Sequence, residues 1–219
     1  MYETYASSPE NVCGKEIDQD LLNSVNLAEY LHRNSLTEKP LSSTHLDGYS
    51  LIPLRVPDGQ YLNFGWVENF YDYSQGYALP KQYIDGNFYK LWLNTNVGFA
   101  LCYKDSPNAM IGLDLDWGNE ILIKQIQGVI AYKDNVGSGK RHSRGLAPLD
   151  WRKLMVELSE DIADRLGFIK TAIESAKTVS SSPQNRFMSP ERAKDIYDET
   201  ASRLGYTMEP DGYWHRRIA

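Results

Sequence analysis

Lys133, Lys140, Arg141 and Arg144 fall within the short stretch KDNVGSGKRHSR against a single acid, Asp134, so four positive charges less one leave +3 before His142 is counted. The whole chain carries a formal charge of −6 with an isoelectric point near 5.3. A basic loop on an acidic protein points to a small anionic ligand or a local partner contact. It does not point to a long track for DNA or RNA, so nucleic acid is not an expected partner. The run GSGKR is not a nucleotide-binding P-loop, because Arg141 stands where Ser or Thr would hold the metal and the leading glycine is missing. Other reactive side chains are sparse. Cys13 and Cys102 are the only cysteines, and Cys102, within VGFALCY, reads as a buried thiol. His32, His45 and His215 form no metal-ligand spacing, and no metal is expected. His215-Arg216-Arg217 reads as a solvated terminal strand, with an interaction patch as the alternative.

These residues need a scaffold, and 219 residues at 42% hydrophobic content, with 5 Trp and 15 Tyr, are enough for one sizeable core. No apolar run approaches the roughly 18 residues of a membrane span, and the N-terminus lacks a basic-then-apolar leader. A cytoplasmic protein with no membrane association is therefore expected. Residues 1–20 read as a flexible arm. Residues 21–96 read as a helix followed by aromatic-rich strands, continuous with a core over residues 97–219. In the helix, Asp18 or Asp20 caps and Leu21, Leu22, Val25, Leu27, Ala28 and Leu31 form the apolar face. The strands are SLIPLRV, YLNFGWV, NFYKLWL and VGFALCY, separated by PDG, SQG and IDG breaks. Their rings either fill the sheet's core and rim or line a cleft or interface.

The C-terminal half has a clearer rhythm. AMIGLDLD and EILIKQIQG flank Asp116-Trp117-Gly118-Asn119 and predict an antiparallel hairpin. Ile121 and Ile123 point to one face of the second strand, Leu122 and Ile126 to the other, which predicts a central strand. Asp150 caps a helix whose face is Trp151, Leu154, Met155, Leu158, Ile162, Ala163 and Leu166, with Gly167 as its stop and a strand after Phe168. Ser189 and Pro190 open another helix, buried through Ala193, Ile196, Tyr197, Ala201 and Leu204 and stopped at Gly205. Two short strands around Pro210-Asp211-Gly212 close the chain. A helix linking Gln127 to Phe168 makes a crossover between parallel strands, while the hairpin before it is antiparallel. The fold class is α/β, a mixed and mostly antiparallel central sheet covered by helices.

Over residues 97–219 this order resembles the GCN5-related N-acyltransferase superfamily, whose central strand runs into a loop of form Gln/Arg-x-x-Gly-x-Gly/Ala. Here His142-Ser143-Arg144-Gly145-Leu146-Ala147 places Gly145 and Ala147 in register, with His142 in place of Gln or Arg. The resemblance implies acetyl-CoA or another acyl-CoA as the cofactor, held by Gln127, Arg141, His142, Arg144, Gly145 and Ala147. Open amides at the start of the following helix suit its pyrophosphate, and Lys140 and the arginines add charge-assisted contacts. A solvent-exposed basic loop is the alternative.

The family's closing pattern is met by Asn185, Ala193, Ile196-Tyr197 and Gly205-Tyr206. The spacing from Asn185 to Ala193 is longer than the family's, and the helix after Tyr197 holds about one extra turn. Tyr197 matches the position whose hydroxyl protonates the departing thiolate, although a packed tyrosine fits the same apolar face. Glu120, at the head of the central strand, is the family-like base, with Asp114 and Asp116 as competitors. Gln125 and Gln127 can orient an acceptor or bind cofactor amides. The implied activity is transfer of an acetyl or related acyl group to a small-molecule or protein amine. The alternative is a GNAT-like binding, assembly or structural protein without catalysis, with a protein partner or a second copy of itself.

Overall fold

The computed structural model describes residues 16–37, 41–55, 65–66, 71–72, 79–80, 87–90, 92–93, 95, 97–104, 106–133, 140–141, 145–181 and 188–218. The principal sheet has seven strands: β1 (Tyr49–Arg55), β2 (Val97–Tyr103), β3 (Ser106–Asp114), β4 (Glu120–Gly128), β5 (Lys170–Glu174), β6 (Thr207–Met208) and β7 (Tyr213–Arg217). Their spatial order is β1-β2-β3-β4-β5-β7-β6. All neighbours are antiparallel except β4 and β5, which pair in parallel from Glu120↔Lys170 to Ile123↔Ile173. The chain is thus an α/β protein with an open, mostly antiparallel sheet. Smaller pairings join Asn87–Lys90, Ile130–Lys133 and Lys140–Arg141 into a three-stranded sheet.

The expected hairpin is present, with Gly118 at φ +69° in the turn between β3 and β4. Ile121, Leu122 and Ile123 are all buried, as a central strand requires. Its crossover helix, α4 (Trp151–Arg165), lays Leu154, Met155, Leu158, Ile162 and Ala163 into the core with Phe99, Ile111, Ile121, Ile123 and Ile173. Burial of each large aliphatic side chain contributes on the order of 2 kcal/mol. Gly167 ends α4 at φ +76°, where the Phe168 N–H returns to the Ala163 carbonyl and the Gly167 N–H to that of Asp164. Gly205 repeats this arrangement at φ +79°, with Tyr206 bonded to Ala201. Both are Schellman stops, which need a left-handed residue just past the helix.

Three local expectations are refined. The N-terminal helix is two, α1 (Gln19–Ser24) and α2 (Leu27–Arg33), because Asn26 starts a new cap by accepting the Glu29 N–H at 3.4 Å, and a single turn, α3 (Ser43–Leu46), precedes β1. Asp150 occupies the cap position of α4 without a side-chain cap bond; its carboxylate instead pairs with Arg203. The last helix, α6, is interrupted: Pro190–Ala193 and Glu199–Arg203 flank a π-helical segment, Lys194–Asp198. The wider turn places two adjacent side chains on tertiary contacts. Tyr197 reaches β4, and Asp198 accepts both the Ala176 N–H and the Trp214 indole N–H at 2.9 Å. Ala176 opens the short helix α5 (Ala176–Ser181). Among the described residues, no helix is long and apolar enough to cross a membrane.

Candidate functional site

The parallel pair sets up the site. β4 has nine residues and β5 only five. The last paired residues are Ile123 and Ile173, so the edge of β4 from Lys124 onward has no β5 partner. On its other edge β4 carries a bulge: Gly112 pairs with Gln125 and Leu113 with Ile123, leaving Lys124 as the extra residue. A bulge bends and twists its strand, and here it lies where β4 and β5 part.

Tyr197 closes this parted edge. Its hydroxyl is 3.5 Å from the Ile126 N–H, which donates to it, and 3.4 Å from the Lys124 carbonyl, to which it donates. It thereby occupies backbone groups that a longer β5 would have taken. The residue is 2% exposed, and burial, opposed by the Ile126 contact, drives its phenol well above the usual tyrosine range. It remains a neutral O–H at physiological pH, able to donate a hydrogen bond and to relay a proton when another is returned to it in the same step.

Glu174, the last residue of β5, was not singled out in the sequence. It is 8% exposed, and its carboxylate makes no hydrogen bond or ion pair among the described residues. Burial raises it to about 7, with Lys124 drawing it down and Asp114 pushing it up by less. Lys124 is itself paired with Asp114 at 3.8 Å. A buried carboxyl ionising near neutrality at a strand opening is suited to accept a proton at physiological pH.

Glu120 is placed elsewhere. It bonds Lys170 at 3.1 Å and His215 Nδ1 at 2.8 Å, while His215 Nε2 meets Asp211 at 2.9 Å. Trp117 stacks on the His215 ring. Glu120 lies four residues before Lys124, about 13 Å along the strand at ~3.3 Å per residue, so the structure does not bring Glu120 and Tyr197 together. Asp114 pairs with Lys124 and lies within electrostatic reach of Glu174, and Asp116 is exposed in the turn. Gln125 is buried and donates to Gln127 at 2.6 Å, which places both amides side by side on the freed part of β4. Glu209, Asp211 and His215 offer ligand atoms within 4.8 Å of one another, but the His215 nitrogens already meet Glu120 and Asp211.

The loop before α4 is clamped at Gly145. Its carbonyl accepts the Tyr49 hydroxyl at 2.6 Å, and a Cβ there would lie 2.6 Å from Tyr103 Cβ and 2.9 Å from Asn108 Oδ1. Tyr49 is raised to about 12 by burial, reinforced by Tyr103, so its hydroxyl stays a donor. Ala147 is exposed in the turn that leads to α4. The first turn of α4 holds Arg152 and Lys153 and no acid, and its leading amides have no intrahelical acceptor. Arg141 lies in the short pairing with Ile130. His142, Arg144 and Asn185 lie outside the described residues.

No protein-family description, curated protein or solved structure matches this chain.

Proposed function

We propose that this protein is an acyl-CoA-dependent N-acyltransferase of the GCN5-related kind, moving an acetyl or related acyl group from coenzyme A to an amine. The observation that carries the reading is the parting of β4 from β5 after Ile123 and Ile173, with the Tyr197 hydroxyl set against the freed edge at Ile126 and Lys124. A thioester carbonyl needs a polarising donor and a proton source for its thiolate, both within reach of one opening. Tyr197 supports the second role. The strand order, its single parallel pair and the crossover through α4 support the resemblance.

Gln127, Arg141, His142, Arg144, Gly145 and Ala147 are the residues proposed to hold the acyl-CoA. The first turn of α4 and the clamped Gly145 carbonyl fit that assignment: Arg203 offsets Asp150 at the cap, and the leading amides stay open to a pyrophosphate. The test is calorimetric titration with acetyl-CoA and with free CoA at near-physiological salt. Saturable one-to-one binding that weakens at least tenfold in Arg144→Ala supports the reading. Folded protein that binds neither ligand overturns it in favour of a binding or assembly role.

A further inference from the structure

We infer that Glu174 is the acceptor-binding group of the same opening: its carboxylate receives a protonated primary amine and takes the proton that frees the nitrogen for attack. This rests on the acyl-transfer reading for its chemistry but on separate geometry for its site.

Three observations lead there. Glu174 is buried at the end of β5, where pairing to β4 stops, and its carboxylate has no hydrogen-bond or ion-pair partner among the described residues. The side chain is buried while its oxygens keep contact with solvent, so a ligand can reach a carboxylate that no protein group neutralises. Second, strand alternation sets Glu174 on the face opposite Thr171 and Ile173. Thr171 bonds Tyr206, which bonds Glu160 of α4, and Ile173 belongs to the core beneath α4. Glu174 therefore looks away from α4, onto the face that carries Lys124 and Asp114. Third, ionisable groups from four elements lie within electrostatic reach of it: Lys124 on β4, Asp114 on β3, Tyr213 on β7 and Tyr197 on α6. The sole cation among them, Lys124, is paired with Asp114, so a second ammonium meets a carboxylate still available to it.

The proton account closes. The entering ammonium gives one proton to the Glu174 carboxylate and becomes a free amine. Its nitrogen attacks the thioester carbonyl, the N–C bond forms and the C–S bond breaks. The Tyr197 hydroxyl relays a proton in one step, passing its own to the thiolate as the second nitrogen proton replaces it, and Glu174 releases its own to water.

The experiment uses n-butylammonium chloride as the probe, followed by NMR on the full chain, with acetyl-CoA titrated in parallel. Saturable amine binding is expected at pH 8, weaker by about five- to tenfold at pH 6 as the carboxylate protonates, and lost in Glu174→Gln while acetyl-CoA binding stays at the wild-type level. Equal amine binding in wild type and Glu174→Gln, or no amine binding by protein that binds acetyl-CoA, overturns the assignment. Amine binding that depends on Glu174 in protein that ignores acetyl-CoA leaves this site standing and removes the acyl-transfer reading.

Discussion

The Tyr197 hydroxyl donates to the Lys124 carbonyl at 3.4 Å, joining the π-helical turn of α6 to the bulged residue of β4. Removing that oxygen separates chemistry from packing. Tyr197→Phe is expected to keep the fold, lose about 1–2 kcal/mol because the Ile126 N–H is left without its partner, and lower turnover by ~10²-fold or more. Acetyl-CoA affinity should be unchanged. Stopped-flow release of CoA thiol set beside calorimetry checks both halves, and an unaltered turnover removes Tyr197 from the proton path.

Glu174 links stability to pH. Its folded-state value of about 7 lies above that of an exposed glutamate, about 4.3. The folded protein therefore holds the proton more tightly than the unfolded chain. Stability on this account is full below about pH 4, falls as pH rises from there to 7, and is flat above. Burial raises the group, so Glu174→Gln should stabilise the protein at pH 8 by on the order of 3 kcal/mol and change it little at pH 4. Urea unfolding at the two pH values measures the difference, and an equal effect at both would show that the carboxyl is not held neutral by burial.

Gly145 is a position where a methyl group has nowhere to go. Its Cβ would press on Tyr103 Cβ and Asn108 Oδ1, neither of which is the loose end of a long side chain. Gly145→Ala should cost about 1–3 kcal/mol and displace the loop that leads to α4, so thermal unfolding and acetyl-CoA affinity should fall together.

Gly167 tests a different cost, since open space surrounds its missing Cβ and only its φ of +76° is at issue. Gly167→Ala should destabilise by about 1 kcal/mol, and Gly167→Asn by less. A thermal shift of a few degrees reads the result, and no loss with Ala would show that the chain relaxes the stop.

Much of this frame was legible in sequence because its signals are local. The glycine after each of Arg165-Leu166 and Arg203-Leu204 announces a helix stop, the period of Leu154 to Ile162 announces α4, and the apolar run of β4 announces a central strand. The parts missed are made by distant pairings. Asp150 reads as a cap until Arg203, half a hundred residues on, claims its carboxylate. Glu174 carries no local signal, and its setting exists only once Tyr213 is laid opposite it. Glu120 heads the right strand, but Lys170 and His215 meet it only once β5 and β7 are in place. The opening follows from the unequal lengths of β4 and β5, which no motif encodes.

The π-helical turn at Lys194–Asp198 also has a bearing on how such a chain can vary. It holds one residue more than an α-helical turn would. A deletion that removes Asp195 would restore continuous α-helix and its hydrogen-bonding pattern. It would also turn Tyr197 and Asp198 together by about 100° relative to Pro190–Ala193 at the start of the helix. The shortened helix would gain regularity but could not keep Ala193 in the core and still hold Lys124 and Trp214, so the irregular segment reconciles the two ends of its own helix.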